Sequence, residues 1–229
     1  ILNRGALKYI FGSSALNIAF MVSSFIAVKH GLAGAGSVII TSLSPLLTFL
    51  IVALLLSKAI QKHQYIGLFL GLVGGFVILE LNDVDLFLQG SNIYFALSAL
   101  FWAFVTIFSQ RSHAYIHPIH YSFFISIVAT IAAFIYAYDS DLLSVFNQDY
   151  VFWLALVYLA IFGQTIATTI FFMASGKLGS QRTSSFMFLV PIFALLTAWL
   201  VLDESIQLHI VIGGLISIIA VYFINTKFD

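Results

Sequence analysis

The sequence predicts an all-α membrane protein, a polytopic bundle of transmembrane helices. Three observations carry that expectation. The chain has 229 residues, of which 62% are hydrophobic and 8% charged; a soluble domain carries about 25% charged residues, so this chain has too few to cover a water-facing surface. Apolar runs of about 20 residues recur along it, each long enough to cross a bilayer core as a helix. The third observation is a pattern around a proline that occurs twice, once near Pro45 and again near Pro191.

Taken in order, the apolar runs define eight spans. The first covers 8–28 and ends at Lys29-His30-Gly31. The second covers 32–56, with small residues at its start (Gly34, Ala35, Gly36, Ser37) and Pro45 inside. The third covers 64–81 and leads into the polar turn Asn82-Asp83-Val84-Asp85. The fourth, 91–109, ends at Gln110-Arg111-Ser112-His113, and the fifth, 119–138, ends at Asp139-Ser140-Asp141. A partly polar link with Asn147, Gln148 and Asp149 precedes the sixth, 150–174. The seventh covers 183–202 and the eighth 206–225.

The charges orient these spans. With a cytoplasmic N-terminus, the inner segments hold Arg4, Lys8, Lys58, Lys62, Arg111, Lys177, Arg182 and Lys227, and the outer segments hold only Lys29. Lysine and arginine mark the cytoplasmic side of membrane proteins, while acids add little weight. Glu80, Asp83, Asp85, Asp139, Asp141, Asp149, Asp203 and Glu204 nevertheless fall outside, with Asp229 alone inside. One missed span would scramble the alternation. The expected protein is therefore an integral membrane protein with both ends of this chain in the cytoplasm.

Placing Pro45 on Pro191 without a gap also places Ile60-Gln61 on Ile206-Gln207, His63 on His209, Ile66-Gly67 on Ile212-Gly213 and Phe25 on Phe171. The proline helices are the second and seventh spans. An odd number of spans separates them, so the two copies run in opposite senses across the membrane. Inverted repeats of this kind are a transporter signature, with the substrate site near the midplane where the halves meet. The repeat divides the chain into an incomplete first unit, 1–81, an extracytoplasmic connection, 82–90, and a complete five-helix unit, 91–229. A five-span period leaves the first unit two helices short. About 60 residues forming two more helices are expected ahead of Ile1, at roughly 20 residues per span plus loops.

These residues resemble a known family. Ser44-Pro45-Leu46-Leu47-Thr48-Phe49-Leu50, followed by a polar break and Ile66-Gly67-Leu68-Phe69-Leu70-Gly71-Leu72-Val73-Gly74-Gly75, is similar to the first unit of the EamA-type transporters of the drug/metabolite transporter superfamily. Val190-Pro191-Ile192-Phe193-Ala194, Leu202-Asp203-Glu204-Ser205 and Ile212-Gly213-Gly214 resemble the second unit. The resemblance implies a ten-helix inner-membrane protein of bacteria, two inverted five-helix units, a central cavity and alternating access. It also implies export of amino acids, other small metabolites or drug-like solutes. The family's pattern has Gly-Glu or a similar pair after each proline helix; here Asp203-Glu204 stands in the second unit and Ser57-Lys58 in the first.

Polar side chains inside the spans are the candidate solute ligands. Ser14 and Asn17 share a face of the first span, and Gln164 and Thr168 lie on the sixth, with Gln164 one position beyond the repeat partner of Asn17. Thr41 and Ser44 precede Pro45, Ser185 lies near the start of the seventh span, and Trp102 and Thr106 share a face of the fourth. Uncharged amides and hydroxyls suit a zwitterion or a polar uncharged solute, with Trp102 and Phe188 as apolar walls. The bland alternative for each hydroxyl is an interhelical hydrogen bond worth roughly 0.6–2 kcal/mol. Pro45 and Pro191 each remove a backbone donor and crowd the preceding turn, so each is expected to kink its helix. Gly67, Gly71 and Gly75 recur every four residues and read as close-packing positions within the bundle.

Several classes are disfavoured. There is no cysteine, which excludes disulfides and thiolate metal sites. No acid or base lies in the middle of a span, so the chain offers no intramembrane carboxylate for proton coupling. His117 and His120 flank Pro118 without a nearby carboxylate and read as interfacial, and Tyr9, Tyr94, Tyr121, Tyr138, Tyr150 and Trp153 read as an aromatic belt. No cofactor, metal or nucleic acid is expected; the expected partners are a small-molecule substrate and the lipid bilayer, with a monomer and a homodimer both open. A non-transporting membrane subunit or receptor, and an intramembrane enzyme, are the rival readings. The second lacks any nucleophile–base pair at membrane depth.

Overall fold

The computed structural model describes residues 4–31, 33–57, 59–78, 90–138, 142–202 and 208–226, and among them it is all-helical. Helix α1 spans Arg4–His30, α2 Ala33–Leu56, α3 Lys62–Ile78, α4 Gly90–Ser112 and α5 Pro118–Tyr136. After a 3₁₀ turn at Leu142–Asn147 comes α6, Tyr150–Leu178, followed by α7, Ser180–Ser185, a 3₁₀ segment at Phe186–Leu189, α8, Val190–Leu202, and α9, Leu208–Asn225. Six of these helices are long and apolar enough to cross a membrane: α1, α2, α4, α5, α6 and α9. The chain is an integral membrane protein.

Two of the eight expected spans differ from a plain membrane-length helix. The third appears as α3, 17 residues long as far as it is described. The seventh is divided into α7, the 3₁₀ segment and α8. Proline explains the second case. Pro191 has no N–H to give to the carbonyl four residues earlier, and its ring crowds that carbonyl; the chain tightens there, with the Val190 N–H bonded to the Met187 carbonyl. Pro45 acts differently, because α2 passes through it without a break. The turn at 82–85, the pair Asp203-Glu204, and Lys58, Glu80, Asp139, Asp141, Lys227 and Asp229 lie outside the described residues.

The ends of two helices are set by local chemistry. Pro118 occupies the first turn of α5, where a missing N–H costs nothing, and the His117 side chain accepts from the Ile119 N–H. The Asp149 carboxylate accepts from the Phe152 N–H at 2.9 Å and caps α6. Midway along α6, Leu159–Ala167 widens into a π-helix. There Thr165 Oγ1 donates to the Ala160 carbonyl at 2.8 Å and Thr168 Oγ1 to the Gly163 carbonyl at 3.3 Å.

The most extensive helix pairing joins α3 to α9. The helices run antiparallel and touch through backbone. A Cβ added at Gly67 would stand 2.8 Å from the Ala220 carbonyl and 3.1 Å from the Ile224 nitrogen. A Cβ added at Gly213 would stand 2.7 Å from the Gly74 carbonyl and 2.9 Å from the Ile78 nitrogen. The second pair of contacts is the first shifted by the offset that carries Pro45 onto Pro191. Lipid tails are as apolar as leucine, so helices associate in a membrane through such close packing rather than through a hydrophobic drive. Of the expected glycine row, Gly67 faces α9, Gly71 lies under the Phe188 ring and Gly75 meets Ser42 of α2.

A second seam joins α1 to α4, again antiparallel. Gly5 packs on Tyr115, Gly12 on Phe108, Phe20 on Trp102, and Ser24 Oγ donates to Ser98 Oγ at 3.1 Å. Helix α4 also packs on α2, where Ile51 and Val52 meet Ala103 and Ile107. The exterior is apolar, with Phe25, Leu54, Phe69, Phe134 and Leu200 exposed, as a lipid-facing surface requires.

Replacing Gly74 by Leu forces a side chain against the Gly213 carbonyl and Ser217. We expect a loss of about 1–3 kcal/mol, the usual range for overpacking, read as a lower midpoint of thermal unfolding in detergent. Gly163→Ala, whose Cβ would meet only Leu159 Cδ2 at 3.9 Å, is expected to leave the midpoint unchanged.

Candidate functional site

Four of the expected site residues lie on the two helices of the α1–α4 seam, Ser14 and Asn17 on α1 and Trp102 and Thr106 on α4. Ser14 and Asn17 are buried on α1, at 1% and 5% exposure, and Thr106 is buried on α4 one turn from Trp102. Antiparallel register sets Phe20 against Trp102, so Asn17 and Ser14 fall at heights between Trp102 and Phe108, with Ser14 on a face of α1 turned away from that of Gly12. The Trp102 ring stands 5.0 Å from that of Phe20 on α1 and 5.5 Å from that of Phe171 on α6, centroid to centroid. Three helices thus supply a continuous aromatic face.

Hydrogen bonding divides these groups. Thr106 Oγ1 donates to the Trp102 carbonyl at 2.8 Å and is satisfied within its own helix. Ser14 Oγ and Trp102 Nε1 are both shielded from solvent and have no hydrogen-bond partner among the described residues. Asn17 Nδ2 reaches only the Met21 sulfur, at 3.9 Å, a weak acceptor. Most buried polar groups find a partner, so orphaned donors ask for an explanation.

The remaining expected site residues lie elsewhere. Thr41 Oγ1 bonds to the Ser37 carbonyl at 2.8 Å and Ser44 Oγ to the Ala99 carbonyl at 3.4 Å. Ser185 Oγ donates to the Arg182 carbonyl and accepts from Asn225 Nδ2, at 2.7 and 2.9 Å. Phe188 packs over Gly71 in a cluster with Phe49, Leu68 and Val221, separate from Trp102. Gln164 is exposed on the π-helical stretch, and the apolar window of α6 is 0% buried. Thr168, just beyond that stretch, is half-buried and bonded to Gly163.

Sequence reasoning missed a hydroxyl network beside the site. Tyr121 is fully buried rather than in an interfacial belt. Its hydroxyl bonds to Ser13 of α1 and to Ser112 of α4. Further along, Ser109 Oγ lies 2.7 Å from Ser175 Oγ of α6, and His113 Nε2 lies 2.9 Å from the Phe172 carbonyl, with its ring over Gly176. The serine spacing 109–112 with Tyr121 was visible in the sequence, but a tyrosine three residues into a span satisfies the belt pattern equally well. Only the placement of α5 against α1 turns it inward. His117 and His120 have their rings 6.0 Å apart at the start of α5.

Two apolar grooves lie elsewhere, one of about 230 Å³ between α2 and α3 and one of about 160 Å³ between α8 and α9. Ser42 is the single polar side chain lining either, so they offer a polar solute little to bond.

A bundle of apolar helices of membrane length, joined by glycine seams, defines the class as a polytopic integral membrane protein. The profile of the EamA-like transporter family matches residues 90–226, and the chain belongs to that family. It is similar to an uncharacterized transporter of Synechocystis sp., 31% identical over 85% of this chain and 64% of the relative. It is also similar to a WAT1-related chloroplastic protein of Arabidopsis thaliana, 28% identical over 84% of this chain and 48% of the relative. A third relative is the uncharacterized transporter YyaM of Bacillus subtilis, 21% identical over 96% of this chain and 73% of the relative. The chain therefore spans about half to two thirds of the length of the first two.

Tyr121→Phe removes the hydroxyl shared by Ser13 and Ser112. We expect a loss of about 1 kcal/mol, the net value of a buried hydrogen bond, read as a lower unfolding midpoint. Ser13→Ala combined with Tyr121→Phe is expected to cost less than the sum of the two, because both act on one bond.

Proposed function

We propose that this chain forms most of an alternating-access transporter that exports small metabolites, amino acids or drug-like solutes across the bacterial inner membrane. The observation that carries the reading is the α3–α9 seam, whose contacts Gly67 to Ala220 and Ile224 and Gly213 to Gly74 and Ile78 correspond under the offset of the sequence repeat. Such correspondence is what a two-fold axis in the membrane plane requires. It supports eight spans arranged as two inverted units, of which the first is 1–81 and the second 91–229. Solute sites in inverted-repeat transporters lie at the repeat interface near the midplane.

We place the solute site at Trp102, with Ser14 and Asn17 of α1 as further candidate ligands at nearby heights. It lies on the α1–α4 seam, where a helix of the first unit meets a helix of the second. It is away from the basic residues at the helix ends, Lys8 and Lys29 on α1 and Arg111 on α4. The network Ser13–Tyr121–Ser112 stands on its cytoplasmic side. Neutral hydrogen bonds of about 1 kcal/mol each hold that side without making separation of the units costly. Rocking one unit against the other would expose the site to each side in turn.

Two measurements test this. Full-length protein in proteoliposomes is expected to move at least one amino acid, nucleoside or lipophilic dye; no flux of any such solute in either direction would sink the reading. Orientation is tested by single cysteines, which the chain otherwise lacks. Cysteine at exposed Lys62 or Arg111 is expected to react with a membrane-impermeant maleimide only from the cytoplasmic side, and cysteine at Tyr150 only from the outside. Labelling of all three from one side would reject the inverted arrangement.

A further inference from the structure

We infer that Trp102 is a specificity-determining residue whose indole N–H takes an acceptor oxygen of a net-neutral solute, with the solute's apolar body lying on the Phe20–Trp102–Phe171 face. The inference rests on the transporter reading and names what its site selects. Trp102 Nε1 can only donate. It is closed off from solvent and has no acceptor among the described residues. Leaving such a donor unpaired is unfavourable, and a bound acceptor would remove that cost. Thr106 Oγ1 donates to the backbone carbonyl of Trp102 and so offers the indole N–H no acceptor while engaged there.

The neighbours narrow the chemistry. Phe20 and Phe171 flank the indole at 46° and 41°, a tilted arrangement that offers a broad apolar surface. The indole offers one donor and no acceptor, which favours carbonyl or carboxylate oxygen on the solute. Charge sets the other limit. No acidic or basic residue lies between Lys8 and Lys29 on α1, between Gly90 and Arg111 on α4, or between Tyr150 and Lys177 on α6. An ion with net charge would find no counter-charge within these stretches of α1, α4 or α6, and burying it unpaired costs far more than one hydrogen bond. A zwitterion or a neutral carbonyl compound carries no such penalty. The rings come from α1, α4 and α6, so a solute held there touches helices assigned to both units. Trp102 is thus placed to report occupancy to the elements that move.

The test uses the full-length protein in proteoliposomes with defined radiolabelled probes: zwitterionic leucine and phenylalanine, neutral uridine, anionic citrate and cationic tetraphenylphosphonium. Wild type is expected to carry net-neutral probes in preference to charged ones. Trp102→Phe keeps an aromatic ring and removes the donor; KM for the carried probe is expected to rise about tenfold with kcat nearly unchanged. A KM within twofold of wild type, or carriage confined to the charged probes, would overturn the inference while leaving transport intact. Absence of flux in wild type would instead reject the transporter reading and the inference with it. A second measurement does not depend on the variant folding. With every other tryptophan changed to phenylalanine, Trp102 emission is expected to shift on adding the carried probe; unchanged emission at saturating probe would overturn the inference.

Discussion

Close approach of two backbones, α3 against α9, is the constraint on which the rest of the bundle depends. Gly67 and Gly74 on one helix and Gly213 on the other let main-chain atoms meet where any side chain would hold them apart. In water a seam of this kind would be one contribution among many. In lipid it is central, because apolar side chains gain little by leaving the bilayer for one another. The pairing fixes the height and direction of α9 relative to α3. That in turn sets Phe188 over Gly71 and holds the 3₁₀ segment ahead of Pro191 against α2 and α3.

The α1–α4 seam follows a different logic. Small residues near the start of α1 receive aromatic rings, Gly5 under Tyr115 just beyond α4 and Gly12 under Phe108 of α4, while toward the other end two serines meet. Lys8 Nζ lies 4.8 Å from the Tyr9 ring centroid and 5.8 Å from that of Tyr115, a cation–π arrangement that ties the charge at the helix end to this aromatic layer. At heights between the layer and the serine pair, Trp102 Nε1 on α4 and Ser14 Oγ on another face of α1 have no hydrogen-bond partner among the described residues. Packing is thus completed at both ends and chemical potential is left unspent in the middle. Helix α6 joins this arrangement only through its second half, where Phe171, Phe172 and Ser175 meet α4 and α5.

Much of the architecture was legible in the sequence because the bilayer imposes length and polarity on each segment. A run of about 20 apolar residues has few other uses. The positions of α1, α2, α4, α5, α6 and α9 follow from that rule, and the glycine row at 67, 71 and 75 marked α3 as a close-packing helix. The divided seventh span was half legible: Pro191 announced a disturbance, but the same signal at Pro45 left α2 continuous. A proline states that a bond is lost and does not state how the neighbouring turn recovers. The π-helical stretch of α6 had no sequence signal at all.

The site was legible in its residue types and not in its membership. The sequence by itself determined that the chain is a helical membrane protein, where the six membrane-length helices fall, and that the polar groups inside its apolar runs carry no charge. Composition and run length suffice for that, since they are properties of segments. Tertiary structure alone decided which of those groups meet. It set Trp102 between Phe20 and Phe171, and it assigned Thr41, Ser44 and Ser185 to backbone bonds and Phe188 to another cluster. It also turned Tyr121 inward onto Ser13. The reason is that a helix presents several faces to several neighbours, and which face meets which neighbour depends on glycine contacts distant in sequence from the polar groups they bring together.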